Sequence, residues 1–232
     1  MSHPLPHYRI GEHPAPLPID LHALLTRVET STIGHGIPWG LMSDRLRPVD
    51  RGLRVVGSAV TLAIPGADST LLHHALGLLR PGDVLVIDRL GDRRHACWGG
   101  IVTAAAQQAG AAAAIIDGPC TDLEQVQASG FPLWCTGTSA VTTRLLDWGG
   151  RLNHPVSCGG VVVCPGDVVL ADADGVLVMP RDEADAVGRH ALDIQDRVAA
   201  GLLRAVEAGD PLGQRSGASA LVQMHLLPGR QP

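Results

Sequence analysis

The chain has 232 residues, 45% of them hydrophobic and 18% charged, with a net charge of −5; this suits one packed domain and excludes a disordered chain. One Phe, one Tyr and four Trp leave no stacking platform, and no basic cluster exceeds Arg93-Arg94, so direct nucleic-acid binding is excluded. All 18 cationic side chains are arginine, which removes lysine Schiff-base chemistry.

Residues 1–18, rich in Pro and His, read as an N-terminal arm, residues 19–209 as a single α/β domain and residues 210–232 as a tail. The pattern predicts a helix over Leu21–Glu29, a small-residue loop over Ser31–Gly36 and an irregular stretch over Pro38–Pro48. The β-branched, alternating run Leu53–Ile64 predicts a strand. Ser69–Leu79 is helical, with Leu71, Leu72, Ala75, Leu78 and Leu79 on one stripe and the adjacent His73 and His74 diverging, one packed and one solvated. Pro81-Gly82-Asp83 turns into a strand over Val84–Asp88, and the same phrase returns as Pro165–Asp172.

The segment Trp98–Asp122 carries the most information. Gly99-Gly100 open a helix over Ile101–Ala109, whose first N–H groups are free for a carboxylate or phosphate. A buried strand over Ala112–Ile116 follows, with Asp117 and Asp122 beyond its carboxyl end, where α/β folds keep their sites. Thr121 and Glu124 are spaced as a capping box. Strands are expected at Leu133–Thr136, Val156–Ser157, Gly160–Cys164, Val168–Ala171 and Val176–Met179, with a polar connection from Thr138 to His154. A long amphipathic helix is expected over Asp182–Ala208, capped by Asp182 and stopped by Gly209. In the tail, Leu221, Val222, Met224, Leu226 and Leu227 are apolar enough to dock on a neighbouring subunit. Five cysteines without a CxxC pair argue against a disulfide framework and a structural zinc site. No run has signal-peptide or membrane-spanning character, so a cytoplasmic protein is expected.

Three segments, GDVLVIDRLGDRRHACWGGIVTAAAQQAGAAAAIIDG, DLEQVQASGFPLWCTGTS and HPVSCGGVVVCPGDVVLADADGVLVMPRDEADAV, resemble the family of the regulator of ribonuclease activity A and the 4-hydroxy-4-methyl-2-oxoglutarate aldolases. The resemblance implies an α/β/β/α swivelling-domain sandwich, assembled as homotrimers or paired trimers. It also implies a site in which a helix start (here Gly99, Gly100, Ile101, Val102) holds a substrate carboxylate and Asp122 carries Mg²⁺ or Mn²⁺. The family's motif arginine is replaced by Thr121, a second arginine by Thr136, and the acidic residue of the Gly-Gly turn by Gly100. Cys120 lies in the same loop, and His95, just before the turn, is a candidate acid or base.

The leading expectation is a metal-dependent lyase acting on a 2-oxo acid or similar small oxygenated substrate through a stabilised enolate. Two alternatives stand beside it. One is a pocket turned to cyclase, isomerase or dehydratase chemistry on a larger, less anionic substrate; the other is a non-catalytic protein-binding regulator.

Overall fold

Nine consecutive residues, Val55–Ala63, are buried at every position. A strand buried on both faces needs cover on both sides, and the fold supplies it. The computed structural model describes residues 6–50 and 52–225. In chain order its strands are β1 (Tyr8–Ile10), β2 (Arg47–Pro48), β3 (Val55–Ala63), β4 (Asp83–Asp88), β5 (Ala113–Ile116), β6 (Leu133–Cys135), β7 (Gly150–Leu152), β8 (Val156–Cys158), β9 (Val161–Val163), β10 (Val168–Ala171) and β11 (Val176–Met179). The helices are α1 (Ile19–Leu25), α2 (Thr30–Gly34), α3 (Thr70–Leu76), α4 (Gly100–Ala109), α5 (Leu123–Ser129), α6 (Ala184–Asp193), α7 (Ala200–Glu207), α8 (Leu212–Arg215) and α9 (Ala218–Gln223).

Strands β3, β4, β5 and β6 lie side by side and parallel, joined in turn by α3, α4 and α5. Sequential order with right-handed crossovers puts all three helices on one face. There Leu71, Leu72, Val102, Ala106 and Val126 meet Val60, Leu62, Leu85, Ile87 and Ile116. The opposite face (Ala59, Val84, Val86, Ala113, Ile115) packs on Val169, Ala171, Val176 and Val178 of the β10–β11 hairpin and on Val156, Cys158 and Val163 of the β8–β9 hairpin. The sheet folds over because β10 and β7 share one edge of β3, β10 along its first half and β7 at its end. Trp134 Nε1 on β6 donates to the Asp172 carbonyl beyond β10, 3.0 Å away, and ties the two lobes across this core. The outer face of β10–β11 carries α1, α2 and α6 through Leu21, Leu25, Ile33, Ala191 and Leu192. The layers are therefore α/β/β/α.

Several expected boundaries move, each for a reason that lies far away in sequence. The chain at 31–36 forms α2 in place of a loop, because the Asp172 carboxylate accepts from Thr30 N (2.9 Å) and Thr30 Oγ1 (2.5 Å) at its first turn. Tyr8–Ile10 of the expected arm joins the sheet edge as β1, parallel to β7 within the expected polar connection. The first helix is shorter than Leu21–Glu29 and ends at Leu25. The long C-terminal helix starts after Glu183 rather than at Asp182, and a π-helical turn (Ile194–Ala199) interrupts it before Gly209 stops it at φ 91°. His73 and His74 are both exposed, not one packed. Leu221, Val222 and Met224 are exposed on α9 and just past its end, while Leu226 and Leu227 lie outside the described residues. No helix among the described residues is long and apolar enough to cross a membrane.

Candidate functional site

The site is built on the start of α4. Trp98, fully buried, stacks on Phe131 at 5.8 Å between ring centroids, an arrangement worth about 1 kcal/mol beyond the area it buries. Its Nε1 donates to Thr103 Oγ1 (2.8 Å), and that hydroxyl donates to the Gly99 carbonyl (2.9 Å), which fixes the helix entry. Gly100 N–H donates to Asp122 Oδ2 at 3.0 Å. The next two N–H groups, of Ile101 and Val102, meet no acceptor among the described residues and remain open as helix-start donors. Glycine at 99 gives the Asp122 carboxylate its place: a Cβ there would run into that carboxylate and come within 2.8 Å of Thr121 Cγ2, so Asp122 would have to move.

The second half of the site is the loop leaving β5. Asp117 turns back to accept from Gly159 N (3.0 Å) and so holds the β8–β9 hairpin rather than facing the site. Cys120 is fully buried, bridged to Trp98 on one side and Thr138 on the other, with its Sγ 3.5 Å from Cys135 Sγ. The neighbouring Cys135 thiol and burial push the Cys120 thiol up, so it stays protonated and unreactive. Thr121 N donates to the Trp98 carbonyl (2.8 Å), placing the loop against the helix start.

Asp122 itself sits in the left-handed region at φ 51°, ψ 43° and is the cap residue of α5. Its side chain makes no bond to that helix. The Thr121–Glu124 capping box does not form, because α5 is entered at Asp122, one residue later than the spacing requires, and the Thr121 hydroxyl faces Asp122 Oδ1 instead. A left-handed non-glycine residue costs roughly 1–2 kcal/mol, and here that strain aims the carboxylate at a neighbouring helix start.

Between these pieces lies a cavity of about 270 Å³, lined by Gly99, Ile101, Val102, Thr121 and Asp122 and also by Arg144. The guanidinium of Arg144 has no ion-pair or hydrogen-bond partner among the described residues, whereas its backbone is fixed: Arg144 N donates to the Ala67 carbonyl (2.8 Å) and its own carbonyl accepts from Ser69 N (2.9 Å). The segment beyond it is tied down by buried Asp68, which accepts from Leu146 N (3.0 Å) and Trp148 N (2.8 Å). Arg144, from the 138–149 connection, is thus an arginine on the wall of the cavity that Thr121 and Asp122 also line. Arg93, Arg94 and Arg144 are all candidates from the sequence for the lost charge; what selects Arg144 is the Asp68 to Arg144 bridge, which joins residues far apart in the chain.

The remaining candidates fall outside the cavity. His95 is half-buried with Nδ1 2.7 Å from Asp92 Oδ2, oriented by that carboxylate rather than facing Asp122. Burial alone would raise the Asp92 carboxyl, but the N–H donors of His95 and Arg94 outweigh it and hold it below the usual range. Gly100 contributes its N–H to Asp122 and no wall. Thr136 is engaged through its N–H with the Gly118 carbonyl (3.0 Å).

A family model described as RraA-like, Aldolase/RraA, matches residues 35–178. The chain belongs to this family. A Halalkalibacterium halodurans protein provisionally named 4-hydroxy-4-methyl-2-oxoglutarate aldolase is 35% identical over 146 residues, covering 63% of this chain and 69% of that one. The crystal structure of Streptomyces coelicolor RraAS2, described as an unusual member of the RNase ES inhibitor RraA family, superposes with a TM-score of 0.72 at 30% identity, over 81% of this chain and 98% of that one. The RNA-processing inhibitor RraA of Thermus thermophilus superposes with a TM-score of 0.60 at 26% identity, over 66% of this chain and 92% of that one. The family therefore holds proteins named as aldolases and proteins named as inhibitors. The aldolase-named relatives support an aldolase-like lyase at family level.

Proposed function

We propose that this protein is a divalent-metal-dependent carbon–carbon lyase, of the aldolase or decarboxylase kind, acting on a 2-oxo acid. One observation carries the reading: Asp122, the two residues whose helix-start N–H groups are free among the described residues, and Arg144 all line one small cavity. A 2-oxo acid matches that set, with a carboxylate for the N–H groups and Arg144 and a vicinal oxygen pair on the side of Asp122.

The donor set fits Mg²⁺ or Mn²⁺. No group of three His, Cys, Asp or Glu gathers among the described residues, so Asp122 would hold the ion alone. It is an exposed, hard oxygen donor whose Oδ1, among the described residues, has the Thr121 hydroxyl as its hydrogen-bond partner, at 3.4 Å. Magnesium commonly binds through one or two carboxylates and keeps several waters, leaving room for substrate oxygens. When bound, the ion would polarise the 2-oxo group and offset the negative charge that develops as the adjacent carbon–carbon bond breaks.

The chain's own residues do the rest. Ile101 and Val102 N–H orient the substrate carboxylate, Gly99 leaves room for the Asp122 carboxylate beside the helix start, and Arg144 neutralises charge in a pocket that Thr121 leaves less cationic. The family resemblance places such sites at subunit contacts, and we extend the proposal to a trimer or paired trimers.

The test is oxaloacetate decarboxylation and pyruvate-enolisation exchange, with Mg²⁺ or Mn²⁺ and with a chelator, in the wild type, Asp122→Ala and Arg144→Ala. Metal-dependent turnover that disappears in Asp122→Ala and falls about 100-fold in Arg144→Ala is the expected result, the latter being the cost of one preorganised charge donor. Turnover indifferent to chelation would favour the cyclase, isomerase or dehydratase reading, and silence in every arm would favour the regulator.

A further inference from the structure

Four adjacent strands place Arg9, Arg151, Ala63 and Asp88 in one row. Arg9 on β1 is the register partner of Arg151 on β7, Arg151 that of Ala63 on β3, and Ala63 that of Asp88 on β4. Register partners share a face of the sheet. Leu152, next along β7, belongs to the core under α3 and α4, so the row faces away from that core. All four residues line one open cavity of about 680 Å³ at the carboxyl ends of β3 and β4, with Trp148 and Ser157 on its wall.

Two features of this row call for a ligand. Arg9 and Arg151 lie side by side with like charge, which destabilises a sheet, and neither guanidinium meets an acceptor among the described residues. Ala63 then leaves a gap of one strand with almost no side chain, so the space beside the two guanidinium groups stays open. Asp88 closes the row; its oxygens already accept from Leu90 N (2.7 Å) and Ser157 N (3.2 Å), which aim it without neutralising it. From Arg9 to Asp88 is three strand spacings, roughly 14 Å. Trp148, 53% exposed, adds an apolar surface to the wall of the same cavity.

We propose that this cavity is an oxyanion-binding site, separate from the Asp122 cavity, for a small molecule that carries a phosphate or carboxylate at one end and a hydrogen-bond donor at the other. The paired guanidinium forks bind the oxyanion, Asp88 takes the donor and Trp148 adds apolar contact. The site does not depend on the lyase reading, because it shares no lining residue with the Asp122 cavity.

The test uses the full chain, with inorganic phosphate and succinate as separate probes, followed by calorimetric titration and by thermal unfolding. Wild type should bind at least one probe saturably and gain Tm with it. Arg151→Gln and the double variant Arg9→Gln, Arg151→Gln should lose at least tenfold in affinity and lose the ligand-induced Tm gain. Their Tm without ligand should be unchanged or slightly higher, because one repelling charge is gone; this also shows that they fold. Arg144→Ala weakens the carboxylate subsite of the Asp122 cavity, so binding that it leaves in place and that Arg151→Gln removes belongs to this cavity, and binding that Arg144→Ala alone removes belongs to the other and overturns the proposal. Response to phosphate alone, or to succinate alone, identifies the class of ligand. Absence of saturable binding in wild type, or binding that survives the double substitution, overturns the proposal. A double variant that changes association state, from a wild type that binds neither probe, also overturns it and assigns the arginines to a contact with a second copy.

Discussion

Asp68→Ala tests whether the placement of Arg144 is a property of the fold or of chance. The buried Asp68 carboxylate accepts from Thr70 N (2.9 Å), Thr70 Oγ1 (2.6 Å), Leu146 N (3.0 Å) and Trp148 N (2.8 Å). Hydrogen bonds to a charged group are worth about 1.5–3 kcal/mol each, but the freed N–H groups of half-buried Thr70 and Leu146 and of exposed Trp148 regain water. The burial cost of the carboxylate is also recovered. At about 1 kcal/mol for each of the three backbone donors, the substitution should cost about 3 kcal/mol. With a denaturant slope of about 2 kcal/mol/M, the urea midpoint should fall by about 1.5 M at neutral pH. Burial alone would raise the Asp68 carboxyl, but the bonds from Thr70, Leu146 and Trp148 outweigh it and hold it below the ordinary value of 3.8. A carboxyl depressed in the folded state stabilises above its unfolded pKa and loses that contribution as pH falls through the folded one. The gap between wild type and Asp68→Ala should therefore be constant from about pH 6 to 8 and narrow below about pH 4. Urea titrations at several pH values measure it. A midpoint shift under about 0.3 M, or a gap that does not narrow in acid, would refute the reasoning.

Four further outcomes are expected. Gly99→Ala should abolish turnover and displace the Asp122 carboxylate, because its Cβ has no room beside it; activity within about tenfold of wild type would contradict the geometry. Thr121→Arg combined with Arg144→Ala should recover part of the activity lost in Arg144→Ala alone, a non-additive cycle that independent sites would not give. Asp172→Ala should lower stability by about 2 kcal/mol, since it removes both bonds to Thr30 at the start of α2, and a Tm shift below about 2 °C would count against that capping role. Under native conditions one thiol per chain, exposed Cys164, should react with a disulfide reagent, more slowly than a free thiol because burial and Asp167 raise its pKa; all five should react in denaturant.

The parallel half of the fold was legible because each unit repeats the same local grammar: a turn, a buried β-branched strand, then a stripe-bearing helix. The expected strand Val84–Asp88 is found at Asp83–Asp88 and Ala112–Ile116 at Ala113–Ile116; outside the parallel half, Val168–Ala171 and Val176–Met179 of the antiparallel hairpin match to the residue. Elements held by distant partners were not legible. Nothing near Thr30 announces a helix cap supplied by Asp172, and nothing in the Pro- and His-rich start announces that Tyr8–Ile10 would find β7. The same division runs through the site. The Gly-Gly helix start and Asp122 were visible as residues, but their contact depends on a left-handed backbone at Asp122 that a capping-box spacing conceals. From the sequence, Arg93, Arg94 and Arg144 were equal candidates to supply the charge missing at Thr121 and Thr136, each better read singly as an ordinary surface arginine; the bonds of Ala67 and Asp68 to its segment set Arg144 on the cavity wall.

That last point bears on how the pocket works. An arginine at position 121 would ride on the loop that carries Asp122 and share its backbone, so cation and carboxylate would keep a fixed spacing. Arg144 instead arrives from a connection anchored to the start of α3. Charge and carboxylate can then shift relative to each other when that anchor moves. The chain between Arg144 and Trp148 is short and carries two of the four Asp68 bonds, and its two ends line different cavities. A perturbation that reaches Asp68 therefore reaches the cation of one cavity and the aromatic wall of the other together. Uniform loss of substrate affinity and turnover in Asp68→Ala, with Asp122 untouched, is what this connection requires.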